Sequence, residues 1–355
     1  MAKKRIAILF GGMSSEHEVS RVSAASVIQN LPKDRYEVCC IGITKKGRWL
    51  YYPGDYSLIA TGEWEQDPDC VPAMLSPDRV LGGVVKLMSD FSVSYLRIDA
   101  VFPVLHGKNG EDGTMQGLLA LSGLPYVGCD TLSSAVCMDK GMTHLVLENA
   151  GIRMAPYFEV RGGTVSQESL EQMVEKLGLP LFVKPAAAGS SVGVSKVFDL
   201  KALKKAIQLA FSHDKKVLVE QYIRGREIEC AVLGNSELIT SRVGEVVPAE
   251  EFYSYEAKYI TGDSKLFIPA DMPQETENQI RGIAARAFTA LGCFGMARVD
   301  FFLEEDGGIV LNEINTIPGF TSISMYPKLL EASGIAYPEL LDRLIALAIE
   351  RENQR

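Results

Sequence analysis

The sequence has little histidine, no Cys-x-x-Cys pair and no long apolar run. Only 4 histidines occur among 355 residues, and they are scattered, which argues against a zinc site built from cysteine and histidine. The 7 cysteines are an odd number, which is typical of reduced and mostly buried thiols in a reducing compartment. We therefore expect a cytoplasmic protein.

An excess of positive charge is also missing. The formal net charge is −9, so broad electrostatic attraction to nucleic acid or to an anionic membrane is not expected. An anionic ligand would need local cations and backbone amides instead. The N-terminal apolar run, residues 6–10, ends at two glycines. It is too short for a signal-peptide core or a membrane span, and no other stretch reaches that length.

The first third of the chain alternates strands, glycine turns and helices. Apolar runs predict strands over residues 6–10, 36–43 and 100–105, and helices over 16–30 and 116–121. This order predicts a parallel α/β sheet with ligands at the carboxyl ends of its strands. Residues 61–94 lack a clear period, and we interpret them as an insertion of hairpins and loops.

The remainder of the chain has an α+β pattern rather than a continued parallel sheet. The pattern predicts helices over residues 140–150, 201–211, 274–291 and 338–350. It predicts strands over residues 181–184, 217–220, 229–233, 296–302 and 309–314. The predicted fold class is therefore α/β followed by α+β, and the length suits two or three domains.

A hairpin near the C-terminus carries the strongest chemical signal. An Asp-Gly pair at Asp306 and Gly307 predicts a two-residue turn between strands 298–303 and 309–315. Counting outward from this turn places Asp300 opposite Glu313. Side chains alternate along strands, so Arg298 and Asn315 share the face of these two acids.

The facing acids of this hairpin predict a magnesium site. Two adjacent carboxylates repel each other, and oxygen ligands from Asp, Glu and Asn suit Mg²⁺. The alternative is a solvent-facing hairpin whose charges bind nothing. Phe302 and Leu311 fall beside the acids on the same face by this counting, which weakens the fully solvated alternative.

Three further segments combine glycine or aromatic residues with charge. A strand delivers Lys184 to the small-residue loop 185–193, whose amides could hold phosphate, although an ordinary surface turn has the same composition and the Walker spacing is missing. Glu16 begins a helix, where it either pairs with a substrate amine or complements the helix dipole. Residues 251–259 are aromatic and charged, a composition that suits either a mobile lid or a packed surface loop.

Taken in order, six segments resemble the ATP-grasp superfamily and, within it, the D-alanine–D-alanine ligases. They are FGGMSSEHEVS at 10–20, LHGKNGEDGT at 105–114, MDK at 138–140, GSSVG at 189–193, YEAKY at 255–259 and NEINTIPG at 312–319. The resemblance covers almost the whole chain and is weakest between about 47 and 96. It implies three domains, 1–128, 129–220 and 221–355, with ATP between the second and the third.

The resemblance also implies which residues bind the cofactors. Lys140 and Lys184 contact the ATP phosphates. Glu220, Tyr222 and Ile223 line the adenine pocket, and Glu227 holds the ribose. Two Mg²⁺ or Mn²⁺ ions are held by Asp300, Glu313 and Asn315, with Glu313 bridging them. This set agrees with the hairpin counting.

The implied reaction has two steps. The carboxylate of one D-alanine attacks the γ-phosphate of ATP, and the amine of a second D-alanine then displaces phosphate from the acylphosphate. Arg298 and the Gly319 amide stabilise the tetrahedral oxyanion, and Lys258 contacts the transferring phosphoryl group. Glu16 holds the ammonium group of the first substrate and, together with Ser190 and Tyr259, closes the lid. His106 lies beside the first substrate, and Ser324 with the Met325 backbone binds the second.

Two alternatives remain open. A D-alanine–D-serine ligase of the same family is the nearer one, although Tyr259 in the lid favours an amine over a hydroxyl nucleophile. Met325 stands where D-alanine ligases carry Leu or Met. The other alternative is a non-catalytic nucleotide-binding protein on the same fold. The family further implies a homodimer and a role in peptidoglycan precursor synthesis.

Overall fold

Three β-sheets follow one another along the chain, and the computed structural model describes residues 2–247 and 264–354 of it. The first sheet has the order β6-β5-β4-β3-β2-β1-β7. Its strands are β1 (Lys4–Gly11), β2 (Tyr36–Ile43), β3 (Trp49–Tyr52), β4 (Val71–Leu75), β5 (Gly83–Leu87), β6 (Val93–Arg97) and β7 (Ala100–Pro103). Strand β1 is parallel to β2 and β7, which confirms the predicted parallel core. Strands β3 to β6 extend it as antiparallel neighbours.

The other two sheets are antiparallel. The second has the order β10-β9-β11-β8 and the third β14-β13-β12-β15-β16. Their strands are β8 (Tyr157–Arg161), β9 (Leu181–Pro185), β10 (Ser195–Val197), β11 (Lys216–Gln221), β12 (Gly225–Gly234), β13 (Leu238–Val247), β14 (Lys265–Phe267), β15 (Gly295–Glu304) and β16 (Ile309–Asn315). The α+β pattern is confirmed, whereas the exact domain boundaries stay predictions.

Helices cover these sheets. They are α1 (His17–Asn30), α2 (Ser57–Thr61), α3 (Thr114–Ser122), α4 (Thr131–Met138), α5 (Lys140–Asn149), α6 (Gln167–Leu177), α7 (Leu200–Phe211), α8 (Gln274–Ala290), α9 (Met325–Glu331) and α10 (Tyr337–Asn353). Helix α7 shows why they form. The Asp199 side chain accepts the Ala202 N–H and caps it, and apolar residues spaced by three or four positions, from Leu203 to Ala210, are buried on one face.

The C-terminal helix ties the third sheet to the first. In α10, Leu340 and Leu344 lie in one buried cluster with Ile8 of β1 and Phe320 of the loop after β16. The Arg351 guanidinium, from the same helix, donates to the Tyr126 carbonyl at 2.9 Å. Within the ranges that the structure describes, no helix is long and apolar enough to cross a membrane.

Strand β1 ends in a turn that only glycine fits. Gly11 has φ +88°, and a Cβ built there would lie 2.2 Å from the carbonyl oxygen of Ile43. Glycine tolerates both the left-handed conformation and the close approach. The chain therefore turns directly from β1 toward Glu16 at the start of α1.

The β15–β16 hairpin has the predicted pairing between Asp300 and Glu313, but its turn differs from the prediction. The Glu304 N–H donates to the Gly308 carbonyl at 2.8 Å, and Gly307 has φ +87°, so the loop has three residues rather than two. A one-residue shift follows Asp300, which makes Asn312 the extra residue of a β-bulge. The longer loop and the bulge shift the register by one residue in opposite directions, so Asp300 still pairs with Glu313.

The bulge also corrects the position of Leu311. The sequence placed Leu311 beside the acids, but it pairs with Phe301 and is 1% exposed. The extra residue moves Leu311 to the buried face and leaves Asn312 and Glu313 both half-buried. Consecutive polar residues therefore border the same cavity.

Candidate active site

Two adjoining cavities lie where the glycine-rich loops meet the β15–β16 hairpin. The small cavity has about 100 Å³ and the large cavity about 380 Å³. They share the lining residues Lys140, Ala188, Ser190 and Glu313. A molecule in one cavity therefore lies next to a molecule in the other.

The residues singled out from the sequence divide between these cavities. Those that line the small cavity are Glu16, His106, Lys140, Ser190, Arg298, Glu313, Asn315, Gly319, Ser324 and Met325. Those that line the large cavity are Lys140, Lys184, Ser190, Glu220, Tyr222, Ile223, Glu227 and Glu313. Asp300 lies two residues after Arg298 on β15, and its carboxylate accepts hydrogen bonds from Arg298 and Asn315. The predicted Lys258 and Tyr259, with the rest of segment 251–259, lie outside the described residues.

Glu16 joins two distant parts of the chain in the small cavity. Its buried carboxylate accepts a hydrogen bond from the Ser190 hydroxyl. A Cβ on Gly107 or on Gly189 would lie 2.5 or 3.0 Å from Glu16 Oε2, so both backbones pass directly beside the carboxylate. Ser190 has φ +50°, a left-handed conformation that costs energy for a residue with a Cβ. The loop therefore holds a strained shape against Glu16.

His106 is a neutral donor at the end of β7. Burial lowers the pKa of His106 although Glu16 lies nearby. Its Nδ1 lies 3.1 Å from the Ile317 carbonyl oxygen, which can only accept, so we assign the proton to Nδ1. The imidazole thereby connects the N-terminal sheet to the loop that follows β16.

Glu111 also lines the small cavity, and sequence reasoning missed it although it lies in the quoted segment 105–114. Its carboxyl group accepts the Gly107 N–H at 2.7 Å. Burial, and then the nearby Glu16 carboxylate, raise the pKa of Glu111 to about 8. The group is therefore largely protonated at neutral pH.

Glu111→Gln is expected to flatten the pH dependence of stability. The folded-state pKa of about 8 exceeds the ordinary 4.5, so between these values the folded protein binds the extra proton. Ionisation of Glu111 therefore lowers the free energy of unfolding progressively as pH rises through this window. Thermal unfolding should show the variant gaining Tm over the wild type toward pH 8, and not at pH 4.5. The exposed Glu168→Gln is the control, and parallel curves for wild type and Glu111→Gln would contradict the assignment.

Arg298 lies between two acids. Its Nε and Nη2 donate to the two oxygens of Asp300 at 2.8 and 2.7 Å, and Glu229 Oε2 lies 3.0 Å from Nε. Burial acts against the charge, but Asp300 and Glu229 raise the pKa of Arg298 well above its usual value. The guanidinium is a fixed positive charge on the wall of the small cavity.

Glu229 was not singled out from the sequence. It lies on β12, directly opposite Asp300 in the β12–β15 register. This pairing depends on a strand about seventy residues away in sequence, so no local spacing reveals it. Its carboxylate contributes the second acid that orients Arg298.

The hairpin offers an oxygen donor set that fits a divalent cation. Asp300 and Glu313 face each other in register, and the Asn315 amide donates to Asp300 Oδ2 at 3.0 Å. Two carboxylates and an amide oxygen match the preference of Mg²⁺. In the described ranges no group of three His, Cys, Asp or Glu has a metal-binding arrangement, in keeping with a set of two acids and one amide. Glu313 borders both cavities.

The large cavity combines an ion pair with aromatic rings. Lys184 Nζ lies 2.6 Å from Glu220 Oε2. Burial raises the pKa of Glu220, but Lys184 and His144 outweigh it and lower the value to about 2. The rings of Phe182 and Tyr222 lie 5.8 Å apart at the cavity wall. A cavity of about 380 Å³ that combines apolar and aromatic walls with charged side chains such as Lys140, Lys184 and Glu227 has the size and chemistry of a nucleotide site.

Lys140 fixes the small-residue loop from the N-terminus of α5. Its backbone N–H donates to the Ala186 carbonyl at 3.0 Å, and its Nζ donates to the Ala188 carbonyl at 2.8 Å. The Asp139 side chain caps this helix by accepting the Met142 N–H. The lysine thus reaches the edge shared by both cavities.

Gly319 and Ser324 lie together at the far wall of the small cavity. A Cβ on Gly319 would lie 2.7 Å from Ser324 Oγ, and this oxygen accepts the Thr321 N–H at 2.9 Å. Ser324 directly precedes α9. The Ser324 hydroxyl and the Gly319 backbone therefore border the same part of the small cavity.

Two family models match successive parts of the chain. Residues 5–129 match the family model described as D-ala D-ala ligase N-terminus, and residues 146–346 match D-ala D-ala ligase C-terminus. The D-alanine–D-alanine ligase of Acetivibrio thermocellus is 50% identical, over 99% of this chain and 97% of the relative. That of Caldicellulosiruptor bescii is also 50% identical, over 100% of this chain and 98% of the relative.

Solved structures show the same fold. The D-alanine–D-alanine ligase of Coxiella burnetii superposes with a TM-score of 0.90 at 37% identity, over 100% of this chain and 96% of that one. The D-Ala:D-Ser ligase VanG of Enterococcus faecalis gives 0.87 at 42% identity, over 98% and 100%. With both family models matched along most of its length, this chain belongs to the D-alanine–D-alanine ligase family of ATP-grasp enzymes.

Proposed function

We propose that this enzyme uses ATP to join two D-alanine molecules into D-alanyl-D-alanine for peptidoglycan precursor synthesis. The observation that carries the proposal is the wall shared by the two cavities, formed by Lys140, Ser190 and Glu313. A nucleotide in the large cavity then presents its terminal phosphate to an amino acid in the small cavity. Relatives at about 50% identity carry this activity in their names.

In the first step, the small cavity orients one D-alanine for attack on the γ-phosphate. The Glu16 carboxylate binds its ammonium group, and neutral His106 lies beside it without adding charge. Lys140 and Lys184 bind the nucleotide phosphates, while Glu220, Tyr222 and Ile223 hold adenine and Glu227 holds the ribose. Positioning of this kind supplies most of the rate enhancement in phosphoryl transfer.

In the second step, the amine of another D-alanine attacks the acylphosphate and phosphate leaves. Arg298 and the Gly319 amide stabilise the oxyanion, and Ser324 with the Met325 backbone binds the carboxylate of the second substrate. Two Mg²⁺ or Mn²⁺ ions at Asp300, Glu313 and Asn315 would neutralise the phosphate charge when bound. Lys258, expected to contact the phosphoryl group, and Tyr259, expected to join Ser190 and Glu16, complete the predicted set and lie outside the described residues.

The test is phosphate release with ATP, Mg²⁺ and D-alanine, combined with identification of the product. We expect one phosphate per dipeptide formed. Nucleotide binding without D-alanine-dependent phosphate release would show instead a non-catalytic protein on the same fold.

D-alanyl-D-serine is the second candidate product, because a D-Ala:D-Ser ligase is 42% identical and has the same fold. Met325 borders the small cavity at the start of α9 and offers no strong side-chain hydrogen-bond partner for a hydroxyl, which favours a methyl over a hydroxymethyl side chain. In competition between D-alanine, D-serine and D-lactate across pH, we expect D-alanyl-D-alanine to dominate. Predominant D-serine incorporation would overturn this choice.

We further propose a cytoplasmic homodimer formed through the N-terminal region. Large apolar side chains are exposed at several points of the β4–β6 segment, among them Val80 at 93% and Phe91 at 85%, and a partner chain that covers this segment would bury them. Light scattering should give twice the mass of one chain. A single-chain mass at micromolar concentration would contradict the dimer.

A further inference from the structure

A buried histidine lies behind the nucleotide cavity, and the mechanism above does not use it. His144, on α5, is 2% exposed, and its Nε2 lies 3.3 Å from Glu220 Oε1. The other oxygen of the same carboxylate, Oε2, lies 2.6 Å from Lys184 Nζ. Glu220 therefore has two partners, one on each oxygen, and it is itself only 5% exposed.

The surroundings of the imidazole fix its role as a donor. Its ring packs against Tyr157 of β8 with 4.2 Å between centroids. Nδ1 has no hydrogen-bond partner among the described residues, and the nearest carboxylate oxygen, on Glu148 one turn further along α5, is 3.7 Å away. Because a carboxylate only accepts hydrogen bonds, we assign the ring proton to Nε2, which faces Glu220.

Nucleotide binding creates a conflict at this carboxylate. In the proposed function Lys184 binds phosphate, yet in the structure its ammonium group is held by Glu220. When the lysine turns toward phosphate, Glu220 loses its strongest partner while it remains buried. A buried carboxylate without a donor is costly, so the exchange needs a second donor that stays in place.

We propose that His144 is a positioning residue for nucleotide binding, which keeps hold of the Glu220 carboxylate while Lys184 moves from Glu220 to the nucleotide phosphates. The inference deepens the proposed function and rests on its placement of ATP in the large cavity. Both ligands bring adenine to Glu220, but only a phosphate-bearing ligand also draws Lys184 away from this carboxylate. The histidine therefore matters more for ADP than for adenosine.

The test compares the affinities of ADP and adenosine, by calorimetry, for the full-length wild type, His144→Phe and His144→Gln. Phenylalanine keeps the stacking on Tyr157 but removes the donor, and glutamine restores an N–H near the position of Nε2. We expect His144→Phe to weaken ADP about tenfold and adenosine less than about twofold. His144→Gln should bind ADP nearly as the wild type does. Equal losses for both ligands, or no rescue by glutamine, would overturn the proposal.

Two further variants separate this inference from the function beneath it. Glu148→Gln removes the other carboxylate near the ring and should leave both affinities unchanged. A large loss of ADP affinity in Glu148→Gln would mean that the histidine acts on Glu148 instead.

Lys184→Met should selectively weaken the binding of ADP. If it changes neither affinity, the placement of the nucleotide itself fails. If Lys184→Met weakens ADP but His144→Phe does not, only the role of His144 fails. Tm values for all variants identify any that misfold.

Discussion

Glu313→Gln is expected to lower ligation by about a thousandfold while the fold is retained. Glutamine has the shape of glutamate but lacks its charge. Glu313 faces Asp300 in register and borders both cavities, so the lost charge affects a cation at the hairpin and the phosphates next to it. The rate of phosphate release with saturating ATP and D-alanine measures the effect.

Binding distinguishes loss of the cation from damage to the fold. Without a divalent cation, the Tm of Glu313→Gln should stay close to that of the wild type, because the variant loses both the repulsion with Asp300 and the attraction to Arg298. Adding Mg²⁺ and ADP should raise the Tm of the wild type by linkage and raise that of the variant much less. Glu305→Gln, in the turn of the same hairpin with its side chain 80% exposed, is the matched control. Turnover of Glu313→Gln at the wild-type level would remove Glu313 from the metal site.

For the β15–β16 hairpin, sequence reasoning predicted the correct pairing of the two acids only because two errors cancelled. Counting from a two-residue turn gave the pairing of Asp300 with Glu313, yet the loop has three residues and Asn312 forms a bulge. Each error displaces the register by one residue, in opposite directions. Turn length and bulges depend on local backbone twist, which an Asp-Gly pair alone does not determine.

Two of the residues missed by sequence reasoning, Glu229 and His144, have partners that are distant in sequence. Glu229 meets Arg298 through the β12–β15 register, and His144 meets Glu220 through packing of α5 against the second sheet. Periodicity identifies a helix or a strand but not its neighbour in space. Helices α7 and α8 were located to within a residue or two, whereas the strands β8, β10, β13 and β14 and the helices α4 and α6 were not predicted.

Arg298→Lys is expected to lower kcat by about a hundredfold to a thousandfold, with a modest loss of stability. The guanidinium donates to both Asp300 oxygens at 2.8 and 2.7 Å and lies 3.0 Å from Glu229. A lysine ammonium is a point charge and cannot reproduce this fork while also facing the oxyanion. Phosphate release at saturating substrates gives kcat, and a value near that of the wild type would mean that the oxyanion is stabilised elsewhere.

Removing the charge altogether separates the catalytic role of Arg298 from its structural one. Arg298→Met leaves Glu229 and Asp300, whose side chains are 7% and 12% exposed, without their shared cation, and should cost about 3–5 kcal/mol of stability. Adding Glu229→Gln removes one of the uncompensated charges, so the double variant should regain part of that stability in denaturant unfolding. It should regain none of the activity, because neither substitution restores a positive charge at the oxyanion. Recovery of activity together with stability would mean that Arg298 acts only by holding the two strands together.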